Sequence, residues 1–202
     1  MSVNRFARRP MLAIPAALAS TTVSIALLSV IVMWCSPAAG VPSQCPAVIN
    51  HSVKPLLGEK ADSLCRYAGK VVLIVNTASA CGYTPQYEGL EEIHKRYATK
   101  GLVVVGVPAN DFGQQEGGSN KDIAKFCKVN YGVSFLMANK LEKPITQDPL
   151  FAGLIKASGQ APQWNFHKYL VDRDGKVVSY SSDVEPTSRQ LTQAIERALA
   201  KN

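Results

Sequence analysis

KVVLIVNTASACGYTPQ, residues 70–86, joins an apolar strand to a loop with one cysteine and then to the start of a helical pattern. The run from Val71 to Val75 is continuously apolar and rich in β-branched residues, which suits a strand covered on both faces of an α/β sheet. Such strands end in the crevice where α/β folds place ligands. Pro85 is acceptable in a first helical turn, and Leu90, Ile93, His94 and Tyr97 then recur at helical spacing. Cys81 therefore stands just ahead of a helix N-terminus, where the helix dipole and unpaired N–H groups favour a thiolate over a thiol. The other reading of an isolated cysteine, a small buried residue that fills space, stays open at this point.

Outward from this stretch, Gly101 fits a helix C-cap and Leu102 to Val107 reads as a second fully apolar strand. A strand, a helix and a second strand imply parallel pairing with a right-handed crossover. Pro108 closes that strand, and the loop Ala109 to Gly118 is rich in Gly, Asn and Gln, at a strand end where sites tend to lie. Ser119 and Asp122 form a capping-box pattern for a helix through Ile123, Phe126 and Cys127 that stops near Gly132. Val133 to Met137 is expected as a short third strand. A helix over Asp148 to Ala157 follows, with Leu150, Phe151, Leu154 and Ile155 on one side. Phe166 to Val171 and Val177 to Tyr180 read as a hairpin turned by Asp172 to Gly175. Leu191, Ala194, Ile195 and Ala198 line one face of a last helix. This order describes an α/β chain with a thioredoxin-like fold, a central mixed β-sheet flanked by helices. Cys45 to Tyr67 reads as an irregular lead-in against the sheet edge.

The 202 residues, 47% of them hydrophobic and 18% charged, belong to the globular class. The first forty stand apart. Arg5, Arg8 and Arg9 precede an uncharged run from Met11 to Trp34 and a small-residue stretch ending at Gly40. That is the layout of a secretory signal over residues 1–40, or of an uncleaved membrane anchor, leaving one domain over residues 41–202. Either way the domain is expected outside the cytoplasm, periplasmic or secreted. Removing Arg5, Arg8 and Arg9, with no acids beside them, lowers the formal charge from +7 to +4. Basic residues are scattered without interleaved aromatics, which argues against nucleic acid as a partner. His51, His94 and His167 have no metal-ligand spacing with the cysteines, so neither metal nor cofactor is expected, and each reads as a surface or edge residue.

If Cys35 leaves with the signal, four cysteines remain: Cys45, Cys65, Cys81 and Cys127. An even count in an oxidising compartment points to two disulfides. Cys45 and Cys65, 20 residues apart, flank the entry to the domain; a bridge there would contribute about 3 kcal/mol. Two buried thiols are the alternative.

Asn76-Thr-Ala-Ser-Ala-Cys81-Gly-Tyr-Thr84-Pro-Gln-Tyr-Glu-Gly-Leu90, then Phe112-Gly-Gln-Gln115-Glu116, then Trp164-Asn165-Phe166, resemble the three signature blocks of the glutathione peroxidase family. The likeness runs from about Lys70 to the C-terminus. It implies a thioredoxin fold with a peroxidatic cysteine at position 81, and it places the rest of the family's catalytic tetrad at Gln115, Trp164 and Asn165. A thiolate that attacks one peroxide oxygen leaves charge on the other, and neutral amide and indole donors can meet that charge without burying a second one. Cys127 lies where thioredoxin-using relatives carry their resolving cysteine. That implies a Cys81–Cys127 disulfide recycled by a thioredoxin-like protein, with glutathione the weaker donor. The 46-residue spacing does not itself show contact, and a helical setting for Cys127 requires local unwinding. The short link before Trp164 is similar to that of relatives without the tetramer insertion, which implies a monomer. Ala109, Asp111 and Leu136 depart from the family's usual cysteine, glutamine and proline. The rival functions are a thioredoxin-like disulfide oxidoreductase, which favours Cys-x-x-Cys where residue 84 is threonine, and a non-enzymatic peroxide sensor.

Overall fold

In a computed structural model describing residues 44–201, the chain runs β1 (Ser52–Val53), β2 (Asp62–Ser63), β3 (Val71–Thr77), α1 (Gln86–Tyr97), β4 (Leu102–Pro108), α2 (Asn120–Tyr131), β5 (Leu136–Met137), α3 (Pro149–Ser158), β6 (Lys168–Val171), β7 (Val177–Tyr180) and α4 (Arg189–Ala200). The expected signal or anchor over residues 1–40, with Cys35, lies outside the described residues. β3 to β7 form one mixed sheet in the order β5-β4-β3-β6-β7. β3 pairs parallel with β4 and antiparallel with β6, so the strand that leads to Cys81 is central and paired along both edges. This is the thioredoxin-like arrangement expected from the element order.

Alternation along β3 divides the core in two. Val71, Leu73 and Val75 face a cluster that contains Tyr87, Leu90 and Ile93 of α1, Ile123 and Cys127 of α2, and Leu191 and Ile195 of α4. Val72 and Ile74 face the other cluster, with Leu150, Phe151 and Leu154 of α3 and Val48, Ile49 and Leu64 of the lead-in. Every residue of β3 is buried, which is why the run carries no polar alternation. Covering both faces leaves the strand's C-terminal end as the open place, and Cys81 follows it.

Three local expectations change. The third strand is confined to Leu136–Met137, because the first residues of its apolar run finish the preceding helix instead. Gly132 caps α2 in the left-handed region, Val133 N–H bonds back to Cys127 O, and Ser134 donates through its backbone N–H and its hydroxyl to the Glu91 carboxylate. The hairpin's first strand begins at Lys168 rather than Phe166, since Phe166 has a φ of 64° that no strand tolerates. The lead-in is not wholly irregular either. β1 and β2 pair antiparallel, and Pro55 bridges to Ala138 beside the edge strand β5. Cys45 and Cys65 are joined by a disulfide with their Cα atoms 5.2 Å apart.

Candidate functional site

The turn after β3 is built from backbone groups that the sheet no longer uses. Ala80 N–H donates to Gln115 O at 3.0 Å, which fastens the Cys81 loop to the glycine-rich loop after β4. Thr84 then locks the turn: its Oγ1 accepts from Cys81 N–H at 2.9 Å and donates to Ala78 O at 3.0 Å. Because Thr84 is buried and both contacts of its hydroxyl are backbone groups, the position that a disulfide oxidoreductase gives to a second cysteine serves here as a structural clamp. Tyr83 N–H points back at Cys81 Sγ at 3.4 Å, so the sulfur has a backbone donor before any side chain is counted. The Tyr83 hydroxyl donates to Asp183 at 2.5 Å and holds this turn to the loop after β7.

Gln115 and Asn165, 50 residues apart in sequence, meet directly. Asn165 Nδ2 donates to Gln115 Oε1 at 3.0 Å and to Phe112 O at 3.2 Å. Asn165 thus spends its donors on the glycine-rich loop and turns the Gln115 amide so that its own N–H₂ end is left for a ligand. Two residues beside this pair, Gln114 at φ 53° and Phe166 at φ 64°, are the non-glycine positions with left-handed backbone among the described residues. Such positions cost on the order of 1–3 kcal/mol each and collect at functional sites. Phe166 N–H donates to Asn76 O at 2.6 Å and Asn76 Nδ2 donates to Trp164 O at 3.1 Å, so the end of β3 itself fixes the Trp164-Asn165-Phe166 turn. Trp164 is 40% exposed, with its ring 6.0 Å from that of Phe112. It is a rim aromatic rather than part of the core. The structure therefore gathers Gln115, Trp164 and Asn165 around the Cys81 loop. Among the described residues none of their side chains bonds the sulfur directly.

Cys81 and Cys127 are both buried free thiols. Cys127 projects from the middle of α2 into the core, where burial pushes its thiol up to about 11 and Glu116 adds to the rise, while a contact with the Tyr87 hydroxyl pulls the other way. Glu116 is itself buried, and burial raises its carboxyl, with Ser79 and Lys140 opposing. A buried polar group thus sits between the Cys81 loop and the helix of Cys127.

Four features had no signal in the residue pattern. The Tyr83 N–H contact and the Thr84 clamp depend on turn geometry. His167, expected at a surface or edge, is buried: it precedes β6 on the Tyr169 side, its ring 4.8 Å from that of Tyr169, and burial with neighbouring Lys168 pushes its imidazole down to about 4. His51 and His94 are partly exposed. Lys168 is fully buried, its ammonium donating to Ser182 O, and desolvation brings it down to about 7.

Residues 48–155 match the family model described as glutathione peroxidase. The glutathione peroxidase-like peroxiredoxin 2 of Saccharomyces cerevisiae is 47% identical over 142 residues, covering 66% of this chain and 85% of its own. The chain belongs to the glutathione peroxidase family. A glutathione peroxidase of Lactococcus lactis subsp. cremoris is 41% identical over 143 residues, or 68% of this chain and 90% of the relative. The crystal structure of Trgpx in its apo form superposes with a TM-score of 0.60 at 31% identity, covering 76% of this chain and 95% of that one. Membership in this family makes the chain an oxidoreductase, a thiol peroxidase built on a thioredoxin-like fold. The family match ends before Trp164 and Asn165, so the place of Asn165 beside Gln115 comes from the hydrogen bond between them, and that of Trp164 from the bond of its carbonyl to Asn76 and its ring contact with Phe112.

Proposed function

We propose that Cys81 is the peroxidatic cysteine, that Gln115, Trp164 and Asn165 form the polar side of its site, and that Cys127 is the resolving cysteine. The observation that carries this reading is the convergence on one turn of the Tyr83 N–H aimed at Cys81 Sγ and the Gln115 amide oriented by Asn165. In the first step the Cys81 thiolate attacks the terminal oxygen of a hydroperoxide, the O–O bond breaks, and the departing oxygen takes a proton and leaves as water or alcohol. Cys81 is then a sulfenic acid. The amide of Gln115 and the indole N–H of Trp164 meet charge on the departing oxygen, and Asn165 acts through Gln115 as a positioning residue. In the second step Cys127 attacks the sulfenic sulfur, a disulfide forms, and water leaves. The burial of Cys127 within α2 makes local unwinding of that helix part of this step.

The disulfide would be recycled by a thioredoxin-like protein, or less efficiently by glutathione. Export to a periplasmic or extracellular space, behind a cleaved signal or an N-terminal anchor, is supported by the Cys45–Cys65 disulfide, which suits an oxidising compartment. A monomer is supported by the short connector between α3 and Trp164. The deciding experiment is mass spectrometry of the full chain after one equivalent of peroxide. A Cys81–Cys127 cross-linked peptide beside an intact Cys45–Cys65 pair is expected. Cys81 accumulating as sulfinic acid with Cys127 alkylatable would overturn the resolving role.

A further inference from the structure

Lys168 is a buried amine that none of the steps above uses. It has no exposed surface, and it opens β6 opposite Val75 of β3, on the face of the sheet that also carries Cys81 and α1. A lysine is almost never fully buried unless it is paired. Yet Lys168 makes no ion pair among the described residues. Its Nζ donates instead to two backbone carbonyls of the loop after β7, Ser182 O at 3.2 Å and Ser181 O at 3.5 Å. A long apolar side chain would fill the same space without desolvating a charge, so packing does not explain the amine.

The loop that it holds is the one that braces the Cys81 turn. Ser182 O also accepts at 2.7 Å from Nε2 of Gln86, the first residue of α1, and Glu185 accepts from the same amide at 3.2 Å. One residue on from Ser182, Asp183 accepts the Tyr83 hydroxyl at 2.5 Å. Tyr83 N–H in turn points at Cys81 Sγ at 3.4 Å. Burial brings Lys168 down to about 7, while the carboxylates of Asp183 and Glu185 act to keep it protonated. His167, next to it in β6's approach, faces the Tyr169 side of the sheet. A neutral side chain at 168 would leave Ser182 O to Gln86 alone and remove this countercharge from the loop.

Resting on the peroxidatic role of Cys81 proposed above, we propose that Lys168 is a positioning residue for the peroxidatic turn. Its ammonium holds the 181–185 loop, the loop holds the Tyr83 side chain through Asp183, and Tyr83 thereby keeps its backbone N–H on the Cys81 sulfur. Lys168 bonds neither the sulfur nor the peroxide and moves no proton. A donor held on sulfur favours thiolate over thiol, so the lever shows in the pH at which Cys81 becomes reactive.

Iodoacetamide labelling of the reduced full-length protein across pH, with the Cys81 peptide followed by mass spectrometry, reads that profile without any peroxide. With Lys168→Met the profile is expected to move to higher pH. At pH 6, where the wild-type amine is mostly protonated, labelling should slow about threefold and the stopped-flow rate constant with hydrogen peroxide should fall about tenfold. Tyr83→Phe cuts the lever at its other end while leaving Lys168 and Asp183 in place, and is expected to do the same. The double variant decides how the two are linked. A profile and rate no worse than those of the weaker single variant are expected, because residues in one chain of contacts do not add. Full additivity overturns the lever, since the ammonium would then act on the thiolate through space. An unchanged profile in Lys168→Met overturns it as well. If Lys168→Met does not fold, Asp183→Asn, a change at an exposed position, takes its place: a profile moved to higher pH that Tyr83→Phe moves no further is expected, and an unmoved one overturns the lever. A wild-type protein whose Cys81 is labelled but does not react with hydrogen peroxide overturns the peroxidatic reading and leaves the lever standing.

Discussion

The two free cysteines are both buried, yet they occupy opposite backbone environments. Cys81 lies in a turn, where N–H groups have left the sheet ladder and have not yet entered α1, and one of them, from Tyr83, points at its sulfur. Cys127 lies inside α2, where backbone N–H groups are taken up by the helix and the thiol faces a core that pushes it up to about 11. Burial alone therefore does not decide what a cysteine does. One sulfur has a free backbone donor aimed at it and the other has none, which in the function proposed above separates the thiol that attacks peroxide from the one that waits for its helix to open.

The largest test of that contrast is Cys81→Ser. Peroxide consumption is expected to fall by at least about a thousandfold, since among the described residues the other free thiol, Cys127, is buried in α2, and residual thiol-dependent turnover through Cys127 would break the distinction. Cys127→Ser comes next. Its first turnover should stay fast in stopped-flow while thioredoxin-coupled turnover falls on the order of 100-fold, the ratio of a millimolar effective concentration to a reductant in the ten-micromolar range. Steady turnover close to wild type would remove Cys127 from the cycle. Asn165→Ala sharpens the Cys81 half. It removes the donor that turns Gln115 rather than a contact to the peroxide, so the rate of Cys81 oxidation should drop on the order of 30-fold, less than the loss of a direct donor commonly brings. A drop equal to that of Gln115→Ala would fit the two amides acting as one unit, and an unchanged rate would place Asn165 outside the site.

Much of this contrast was legible in the residues. The apolar run of β3, the capping box of α2 and the Asp-Gly turn of the last hairpin are local signals, and each element lies within a residue or two of its expected place. The cysteine between a strand and a helix was equally local. What the pattern could not show were contacts made across the fold. The Asn165–Gln115 bond spans 50 residues, the Tyr83–Asp183 bond spans 100, and the burial of His167 and Lys168 follows from what packs over β6. Hydrophobic periodicity assigns a residue to a face. It does not say that a polar residue on an inner face will be covered and left polar, as both of these are. Val133 to Met137 misled for a related reason: its apolar residues look like strand, but the first of them finish a helix cap.

The smallest test measures the environment of Cys127 without any catalysis. Its thiol is raised from the usual 9.0 to about 11 by burial, so the folded state holds the proton more tightly than the unfolded chain does. The stability this confers is fully present below pH 9 and is lost as pH rises through 11, because the unfolded chain ionises first. Between pH 7 and pH 10 the loss amounts to about 1.4 kcal/mol. Tyrosines and Lys168 also titrate in this range, so the comparison is between the wild type and Cys127→Ser, in which they cancel. Urea denaturation at both pH values should show the wild type losing more stability than the variant by about that amount. Equal losses would mean that the Cys127 thiol is already in contact with water in the folded protein. α2 would then need no opening before the disulfide forms, and the distinction between a poised and a sequestered cysteine would fall with it.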